Sequence, residues 1–413
     1  MNFCAKSELC IFDHAVPQVV IDASAFETIY PKDSISNTNV IEFQINGSES
    51  EYLDLNDTLL CVKIKVIKED GSNISADTEV IPSNYLLHTL FKEAMLSLNN
   101  VKIEDANDKY TVKALIENVL NFSADTEKTF LQCIGVGTDE ERKEWSKTSK
   151  VITLCGPLNF DFFNQPKYLI PGVNVNIKLI RNTSDVILKY TTSKDDKLKM
   201  VPVIFLSEIK LLIRRVKVEQ SVLIGHRLGL EKQNAIYPIR KSKVVTYSIG
   251  KDSVYEYKDN LFSDERLPKF VLITFMETSQ INGDYSKNCS AFAHKNVKSI
   301  KLTRNMDYHE TYTMDFEKSD YTEAYVQSII RNLGFLNTNH NNGITLKDFN
   351  ETYPFFTFVL SPDFCIDQTQ LPKTGNLKLE IRFSKALDVP ITLIAYGLFD
   401  SEIQISKIGS IFT

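Results

Sequence analysis

The second half of this 413-residue chain repeats the order of patterns found in the first half, roughly 200 residues further on. Each half contains two strand-like segments, then a helix-like segment, then a third strand-like segment. A long-period repeat of one supersecondary plan predicts two tandem domains of one architecture. This arrangement is more typical of a structural building block than of an enzyme. The four segments are residues 41–45, 59–66, 111–122 and 173–179 in the first half, and 244–249, 270–276, 321–333 and 377–383 in the second.

The strand-like segments alternate apolar and polar residues with a period of two. Ile41, Phe43 and Ile45 fall on one face and Glu42 and Gln44 on the other, as expected for a half-buried strand. Many short strands at this spacing predict antiparallel sandwiches, and eight strands in two Greek keys make a jelly roll. The periodicity by itself does not distinguish a jelly roll from another sandwich.

Helical spacing is rare in the chain. Residues 111–122 and 321–333 each place apolar side chains along one helical face, so each half should contain one short helix. Residues 86–98 are compatible with a strand or a helix, and Asn99-Asn100 after them predicts a turn. The segment from Asp139 to Lys150, which holds the only tryptophan, is interpreted as a charged loop.

Breaks in these patterns give the domain boundaries. The first 37 residues contain two prolines and no sustained period, and they are predicted to form an N-terminal arm. The first domain should span residues 38–219 and the second 236–408. A glycine-containing linker, 220–235, would join them, and residues 409–413 would form a C-terminal tail.

Composition narrows the class of protein. No apolar run approaches the roughly 18–20 residues of a membrane-spanning helix, and the N-terminus lacks the pattern of a secretory signal. The seven cysteines are scattered without a CxxC pair, so we expect reduced thiols, no disulfide framework and no zinc ribbon. The net charge of -6 and an acidic first segment argue against a direct, sequence-specific grip on nucleic acid.

The sequence contains no strong motif for nucleotide binding, metal binding or catalysis. There is no phosphate-binding loop, and Gly135-Val136-Gly137 is interpreted as a turn. The six histidines form no metal-ligand motif, and the acidic run Asp139-Glu140-Glu141 lies beside basic residues, as on a solvated surface. We therefore predict no catalytic, cofactor-binding or metal-binding residues and no enzymatic activity.

One basic cluster has two interpretations. It combines outward positions of a strand with residues just beyond the linker, which is an ordinary surface arrangement. The alternative is a contact with nucleic acid or with the acidic surface of a neighbouring subunit. The cluster consists of Lys210, Arg214, Arg215, Lys217, Arg240, Lys241 and Lys243.

Several stretches resemble one family. They are Ala5 to Leu9, Ile41 to Phe43 with Glu51 to Leu55, Leu86 to Asn99, Tyr168 to Leu179, and Asn376 to Asp400. Together they are similar to the hexon-type major capsid proteins of Polinton (Maverick) elements and of the related adintoviruses. The resemblance runs over nearly the whole chain. Residues 303–307 depart from it, since a glycine-containing tight turn is expected there.

The resemblance implies an all-β fold of two tandem eight-stranded antiparallel jelly rolls, with a short helix in each. It implies a major capsid protein that trimerises into low-profile pseudo-hexagonal capsomers and tiles an icosahedral shell. The implied partners are copies of itself, penton proteins and minor capsid proteins, whereas an internal membrane is left open. The protein would be made in the host cytoplasm, assembled in the nucleus or cytoplasm, and located in the virion. Residues 1–37 and 401–413 are candidates for tying neighbouring capsomers together.

Two other functions remain open at this stage. A β-sandwich attachment or binding protein would share the sandwiches but would carry an exposed ligand site and would not tile. A β-sandwich glycosidase would need two carboxylates about 5–9 Å apart in a cleft.

Overall fold

The computed structural model describes residues 18–412 apart from 36–37, 76–77, 123–125, 127–128, 191–200, 264–265, 306–307, 334–342, 362–370 and 372. Among the described residues, no helix is long and apolar enough to cross a membrane.

The first half forms two four-stranded antiparallel sheets and one small two-stranded sheet. Its strands are β1 (Ile21–Ile29), β2 (Val40–Ile45), β3 (Glu51–Lys68), β4 (Val80–Pro82), β5 (Phe91–Leu98), β6 (Val101–Asp105), β7 (Ile152–Pro157), β8 (Val175–Arg181), β9 (Leu188–Tyr190) and β10 (Pro202–Val218). Its helices are α1 (Leu86–Thr89), α2 (Tyr110–Asn121), α3 (Phe130–Cys133), α4 (Asp139–Ser146) and α5 (Ser184–Ile187), with 3-10 turns at Lys147–Ser149 and Asp161–Asn164.

Helix α6 (Gln220–Leu230) leads into the second half, which forms two further antiparallel sheets. Its strands are β11 (Ala235–Ile249), β12 (Tyr255–Lys258), β13 (Phe270–Glu277), β14 (Val297–Arg304), β15 (Tyr308–Thr313), β16 (Phe356–Val359), β17 (Leu377–Phe383), β18 (Ile391–Ile405) and β19 (Ile411–Phe412). Its helices are α7 (Thr278–Asn282), α8 (Thr322–Tyr325), which continues as a π-helical turn over Val326–Arg331, and α9 (Leu346–Glu351).

The two halves have the same topology. In the first, the sheets have the strand orders β1-β10-β3-β7 and β2-β8-β5-β6; in the second, β11-β18-β13-β16 and β12-β17-β14-β15. If the eight main strands of each half are counted in chain order, both halves read 1-8-3-6 and 2-7-4-5. In both, the predicted helix follows the fifth strand and precedes the sixth. This is a jelly roll in each half, and the predicted all-β double jelly roll is confirmed.

The equivalence of the halves corrects one pair in the sequence repeat. Three of the four paired segments occupy equivalent places, namely β3 with β13, α2 with α8, and β8 with β17. The fourth pair is wrong, because residues 41–45 form the second strand of the first roll and 244–249 lie in the first strand of the second. The true counterpart of β2 is β12, and that of β11 is β1.

The predicted N-terminal arm is too long. Residues 21–29 form β1, which pairs antiparallel with β10 from Ile21↔Val218 to Ile29↔Leu211. Most of its side chains are exposed on both faces, so the segment has no apolar alternation to reveal a strand. Residues 1–17 of the predicted arm lie outside the described residues.

Two segments interpreted as irregular are helical. The predicted linker contains α6, although Gly225 and Gly229 suggested a loop. The predicted charged loop contains α4, which begins with a capping box: the Thr138 hydroxyl accepts the Glu141 N–H, and the Glu141 carboxylate accepts the Thr138 N–H. At the C-terminal tail, β19 pairs with the end of β18.

Asparagine makes the tight turns that these sheets need. The predicted Asn99-Asn100 turn joins β5 to β6, and both residues have positive φ, at 45° and 66°. Residues 303–307 lack the expected glycine, yet β14 and β15 still pair up to Arg304↔Tyr308. Asn305 takes φ 48° there, a conformation that asparagine tolerates better than most residues.

The expectation of no disulfide is wrong at one pair. Cys61 on β3 and Cys155 on β7 lie opposite each other, with Cα atoms 4.1 Å apart, and are disulfide-bonded. The two cysteines are 94 residues apart in the chain, and only the pairing of β3 with β7 brings them together. Among the other cysteines, Cys133 is exposed and Cys289 buried, and Cys4, Cys10 and Cys365 lie outside the described residues.

Candidate functional site: the junction between the two jelly rolls

A buried cluster of charged side chains lies where the two jelly rolls meet. Lys113, on α2, is surrounded by three carboxylates: its Nζ lies 2.9 Å from Asp161 Oδ1, 3.5 Å from Glu104 Oε2 and 3.8 Å from Glu117 Oε1. None of the four side chains is more than 9% exposed. Buried charges are stable only when they are paired and hydrogen-bonded, so this cluster fixes its elements tightly.

The second jelly roll supplies hydrogen-bond donors to the cluster. Ser242 on β11 donates its backbone N–H to Asp161 Oδ2 at 2.7 Å and its hydroxyl to Asp161 Oδ1 at 2.9 Å. Tyr396 on β18 donates its hydroxyl to Glu117 Oε1 at 3.2 Å. Within the first roll, the Glu104 carboxylate accepts the N–H groups of Asp161 and Phe162, at 2.9 and 2.6 Å. The carboxylates thus bind both rolls at once.

The cluster contains one cation and three acids. Burial raises the pKa of Glu104 to about 7, with a further increase from Asp161 and a partly opposing effect of Lys113. Burial likewise raises the pKa of Glu117 to about 7, while Lys113 opposes and Asp161 adds to the increase. Burial alone would lower the pKa of Lys113, but the three carboxylates hold it above its usual value. Near neutral pH the cluster therefore takes up and releases protons while Lys113 stays charged.

A second contact surrounds Tyr237 at the start of β11. Its hydroxyl accepts the Ile170 N–H at 3.0 Å and donates to the Tyr168 carbonyl at 3.2 Å, both in the first roll. Its ring packs edge-on against Phe162 with centroids 5.6 Å apart. Lys167 donates to the Ile236 carbonyl at 2.7 Å beside it. This contact joins the loop before β8 to the second roll.

A third contact joins the small β4–β9 sheet to the loop after α7. The Tyr190 N–H donates to the Tyr285 carbonyl at 2.7 Å, and the Tyr285 hydroxyl donates to the Pro202 carbonyl at 3.1 Å. The Asn84 N–H donates to Ser290 Oγ at 3.3 Å. Buried apolar residues of both rolls also form one continuous core. Three separate contacts and a shared core fix the orientation of one roll against the other.

Exposed apolar residues mark other surfaces. Phe26 on β1 and Tyr30 just after it are 56% and 62% exposed. Strand β1 lies at an edge of its sheet, where β10 is its one partner among the described strands. Tyr255 and Tyr257 are exposed on β12, an edge strand of the second roll. Edge strands with large exposed side chains are suited to contact with another chain.

Three of the seven residues of the basic cluster from the sequence form ion pairs within the chain. Arg214 lies 2.7 Å from Asp57, Arg215 lies 2.5 Å from Glu27, and Lys210 lies 3.3 Å from Glu208. Asp57 lies on β3 and Glu27 on β1, the two strands beside β10, and Glu208 lies on β10 itself. The pairing favours the ordinary surface interpretation over a site for nucleic acid.

The other sequence candidates do not converge on a site. Within the described part of the chain, no three His, Cys, Asp or Glu side chains are placed to hold a metal ion. Gly135 forms a turn with φ 88°, and Asp139 lies in the first turn of α4, where it pairs with Arg142. His14 and His340 lie outside the described residues.

The junction cluster was not predicted from the sequence. One feature pointed to it: Lys113 and Glu117 interrupt the apolar segment of α2 four residues apart, and both are buried. On a helix packed against one sheet, such residues would face water. Here the second roll covers that face, and a single half of the sequence cannot show this.

Comparison by sequence finds a relative that matches almost the whole chain. No family model matches the chain. An uncharacterised protein of Caenorhabditis elegans is 22% identical over 412 residues, covering 93% of this chain and 95% of that protein.

Solved structures match over nearly the full length of the chain. A chain of the cryo-EM structure of the Sputnik virophage matches with a TM-score of 0.63 and 12% identity, covering 100% of this chain and 93% of that one. The Faustovirus major capsid protein matches with a TM-score of 0.61 and 11% identity, covering 96% and 93%. The mavirus major capsid protein matches with a TM-score of 0.53 and 9% identity, covering 99% and 93%. The chain therefore has the double jelly-roll fold found in these viral major capsid proteins.

Proposed function

We propose that this chain is a major capsid protein that trimerises into pseudo-hexagonal capsomers and tiles an icosahedral shell. The observation that carries the proposal is the identical strand order of two jelly rolls held in one orientation by a buried junction. Three copies of such a body present six similar jelly rolls around a threefold axis, which fills a hexagonal lattice. The role would be structural rather than catalytic, and the stretches quoted above support a relationship to Polinton and adintovirus capsid proteins.

The proposed partners follow from this role. Copies of the chain would form the capsomer through interfaces of about 2,000 Å² or more, and capsomers would meet one another through smaller contacts. Penton and minor capsid proteins would complete the shell. The protein would be made in the host cytoplasm and located in the virion.

The edge strand β1 supports one of the subunit interfaces. Among the described strands it pairs only with β10, and its exposed Phe26 and the neighbouring Tyr30 offer apolar area to a second copy. Large apolar side chains at an edge gain about 25 cal/mol per Å² when a partner covers them. A charge at Phe26 should therefore weaken the trimer without disturbing the core.

Light scattering after size-exclusion chromatography, followed by electron microscopy, tests the proposal. We expect trimers that form closed shells, and monomers or dimers from Phe26→Asp. Phe205→Asp is the matched control, because Phe205 is also an exposed phenylalanine but lies on β10, which is between β1 and β3 in its sheet. A wild-type protein that stays monomeric at assembly concentrations would refute the capsid role. If Phe26→Asp still forms trimers, the subunit interface does not include β1.

A further inference from the structure

The helices that follow the fifth strand of each roll differ in burial. In α2, every residue from Tyr110 to Leu120 is buried, and Glu117 accepts a hydrogen bond from Tyr396 of the second roll. Its counterpart is α8 with the π-helical turn, where Val326 and Ile330 are 46% and 43% exposed. Exposed valine and isoleucine on a helix are suited to burial against another surface. The helix of the second roll therefore offers an apolar face to a partner.

The first strands of the two rolls also differ. Tyr237 and Ser242 are the third and eighth residues of β11, and they bind the first roll through the hydrogen bonds described above. The third to eighth residues of β1 include Phe26, which is 56% exposed. The part of the strand that forms the junction in the second roll is thus open to solvent at Phe26 in the first.

The junction within the chain uses one of two equivalent pairs of surfaces. It joins the helix side of the first roll to β11 and β18 of the second. The other pair is the helix side of the second roll and β1 of the first, and these surfaces expose Val326, Ile330 and Phe26. Because the junction already fixes the two rolls of a chain against each other, this second pair can meet only between copies. A head-to-tail contact of this kind closes into a ring when the rotation between copies closes.

We propose that Phe26 of one copy packs against Val326 and Ile330 of the next, in a contact equivalent to the junction within the chain. The inference rests on the proposed function, because it takes the six rolls of a trimer to lie in a ring. It adds the surface that receives β1, which the capsid role alone leaves open. The junction within the chain buries charged groups, whereas this contact buries apolar side chains, whose removal from water is favourable.

Photocrosslinking in the full-length protein tests the contact. With p-benzoylphenylalanine in place of Phe26, irradiation of a mixture of ¹⁴N- and ¹⁵N-labelled protein should link position 26 to residues 322–331 of a chain with the other label. Val326→Lys should abolish this crosslink, because it places a charge in an apolar contact. It should also raise the concentration at which trimers dissociate by at least about tenfold.

Val254→Lys is the matched control. Val254 is also an exposed valine of the second roll, at 54%, but it lies just before β12, in the other sheet. This variant should keep both the crosslink and the trimer, and circular dichroism checks that both lysine variants fold.

The outcomes separate this inference from the capsid role. Trimers in which position 26 crosslinks within its own chain, or to another surface of the neighbour, would overturn the inference and leave the capsid role standing. The same holds if folded Val326→Lys trimerises as well as Val254→Lys. A wild-type protein that forms no trimers would overturn both.

Discussion

Replacing Lys113 by methionine should destabilise the fold strongly, because it leaves three buried carboxylates without their cation. Lys113 Nζ lies 2.9 Å from Asp161, and its side chain is 9% exposed. Lys102 offers a matched pair on the surface: its Nζ lies 2.8 Å from Asp105, but its side chain is 59% exposed. The two ion pairs have similar lengths, but Lys113 is buried and also lies near Glu104 and Glu117, whereas Lys102 is exposed. We expect Lys113→Met to cost about 3–5 kcal/mol of the free energy of unfolding, and Lys102→Met to change little.

The loss of unfolding free energy in Lys113→Met should depend on pH. At about pH 8 Glu104 and Glu117, each with a pKa raised to about 7 by burial, are mostly ionised in the folded protein. At about pH 5.5 they are mostly protonated, so less unpaired charge remains after Lys113 is removed. If folding of Lys113→Met takes up one proton more than folding of wild type, the loss of unfolding free energy should be about 1–3 kcal/mol smaller at about pH 5.5 than at about pH 8.

Urea unfolding measures both effects. The transition would be followed by circular dichroism and by the fluorescence of Trp145, at one fixed protein concentration so that any oligomer contributes equally. A loss in Lys113→Met no larger than in Lys102→Met would show that burial of the cluster is not what makes Lys113 important. A loss that is the same at both pH values would refute the proton uptake by the glutamates.

Three further predictions concern the same junction and one turn. Because the pKa of Glu117 is raised to about 7, its contribution to stability is fully present below about pH 4.5 and is lost as the pH rises through about 7. Glu117→Gln should therefore unfold at a higher urea concentration than wild type at about pH 8 but not at about pH 5. Equal urea midpoints for the two proteins at both pH values would contradict this. Ser242→Ala removes the hydroxyl that donates to Asp161 and should cost about 1.5–3 kcal/mol, measured by urea unfolding; a loss within error would mean that the backbone N–H of residue 242 suffices. Gly135 and Gly71 have similar φ values, 88° and 83°, but an added Cβ would lie 2.6 Å from Leu86 Cβ at the first and near no atom at the second. Gly135→Ala should thus lose about 1–3 kcal/mol more than Gly71→Ala in thermal or urea unfolding, and equal losses would show that the turn at Gly135 relaxes.

Local patterns predicted the elements whose one face is buried. The alternation in residues 41–45 and 377–383 corresponds to β2 and β17, and the apolar face of residues 111–122 to α2. The order of these elements indicated the duplication, and the resemblance to a known family indicated the jelly roll. These features can be predicted because a half-buried strand or helix repeats apolar residues every 2 or 3.6 positions along the sequence.

Elements without a buried face were missed. Strand β1 is exposed on both sides and exists because β10 pairs with its backbone. Helix α6 buries no residue and contains two glycines, so its sequence predicted a linker and not a helix. Pairing and anchoring by distant parts of the chain, rather than local propensity, decide both.

The sequence by itself determined that the chain has two similar β-rich halves, each with a helix between strand-like segments. Only the tertiary structure decided how the halves are joined: Asp161 meets Ser242 across 81 residues, and Glu117 meets Tyr396 across 279. The same holds for the pairing of Cys61 with Cys155. Burial periodicity is a short-range property of the chain, whereas the partner of a buried charge depends on which surfaces pack together, and neither half of the sequence encodes that packing alone.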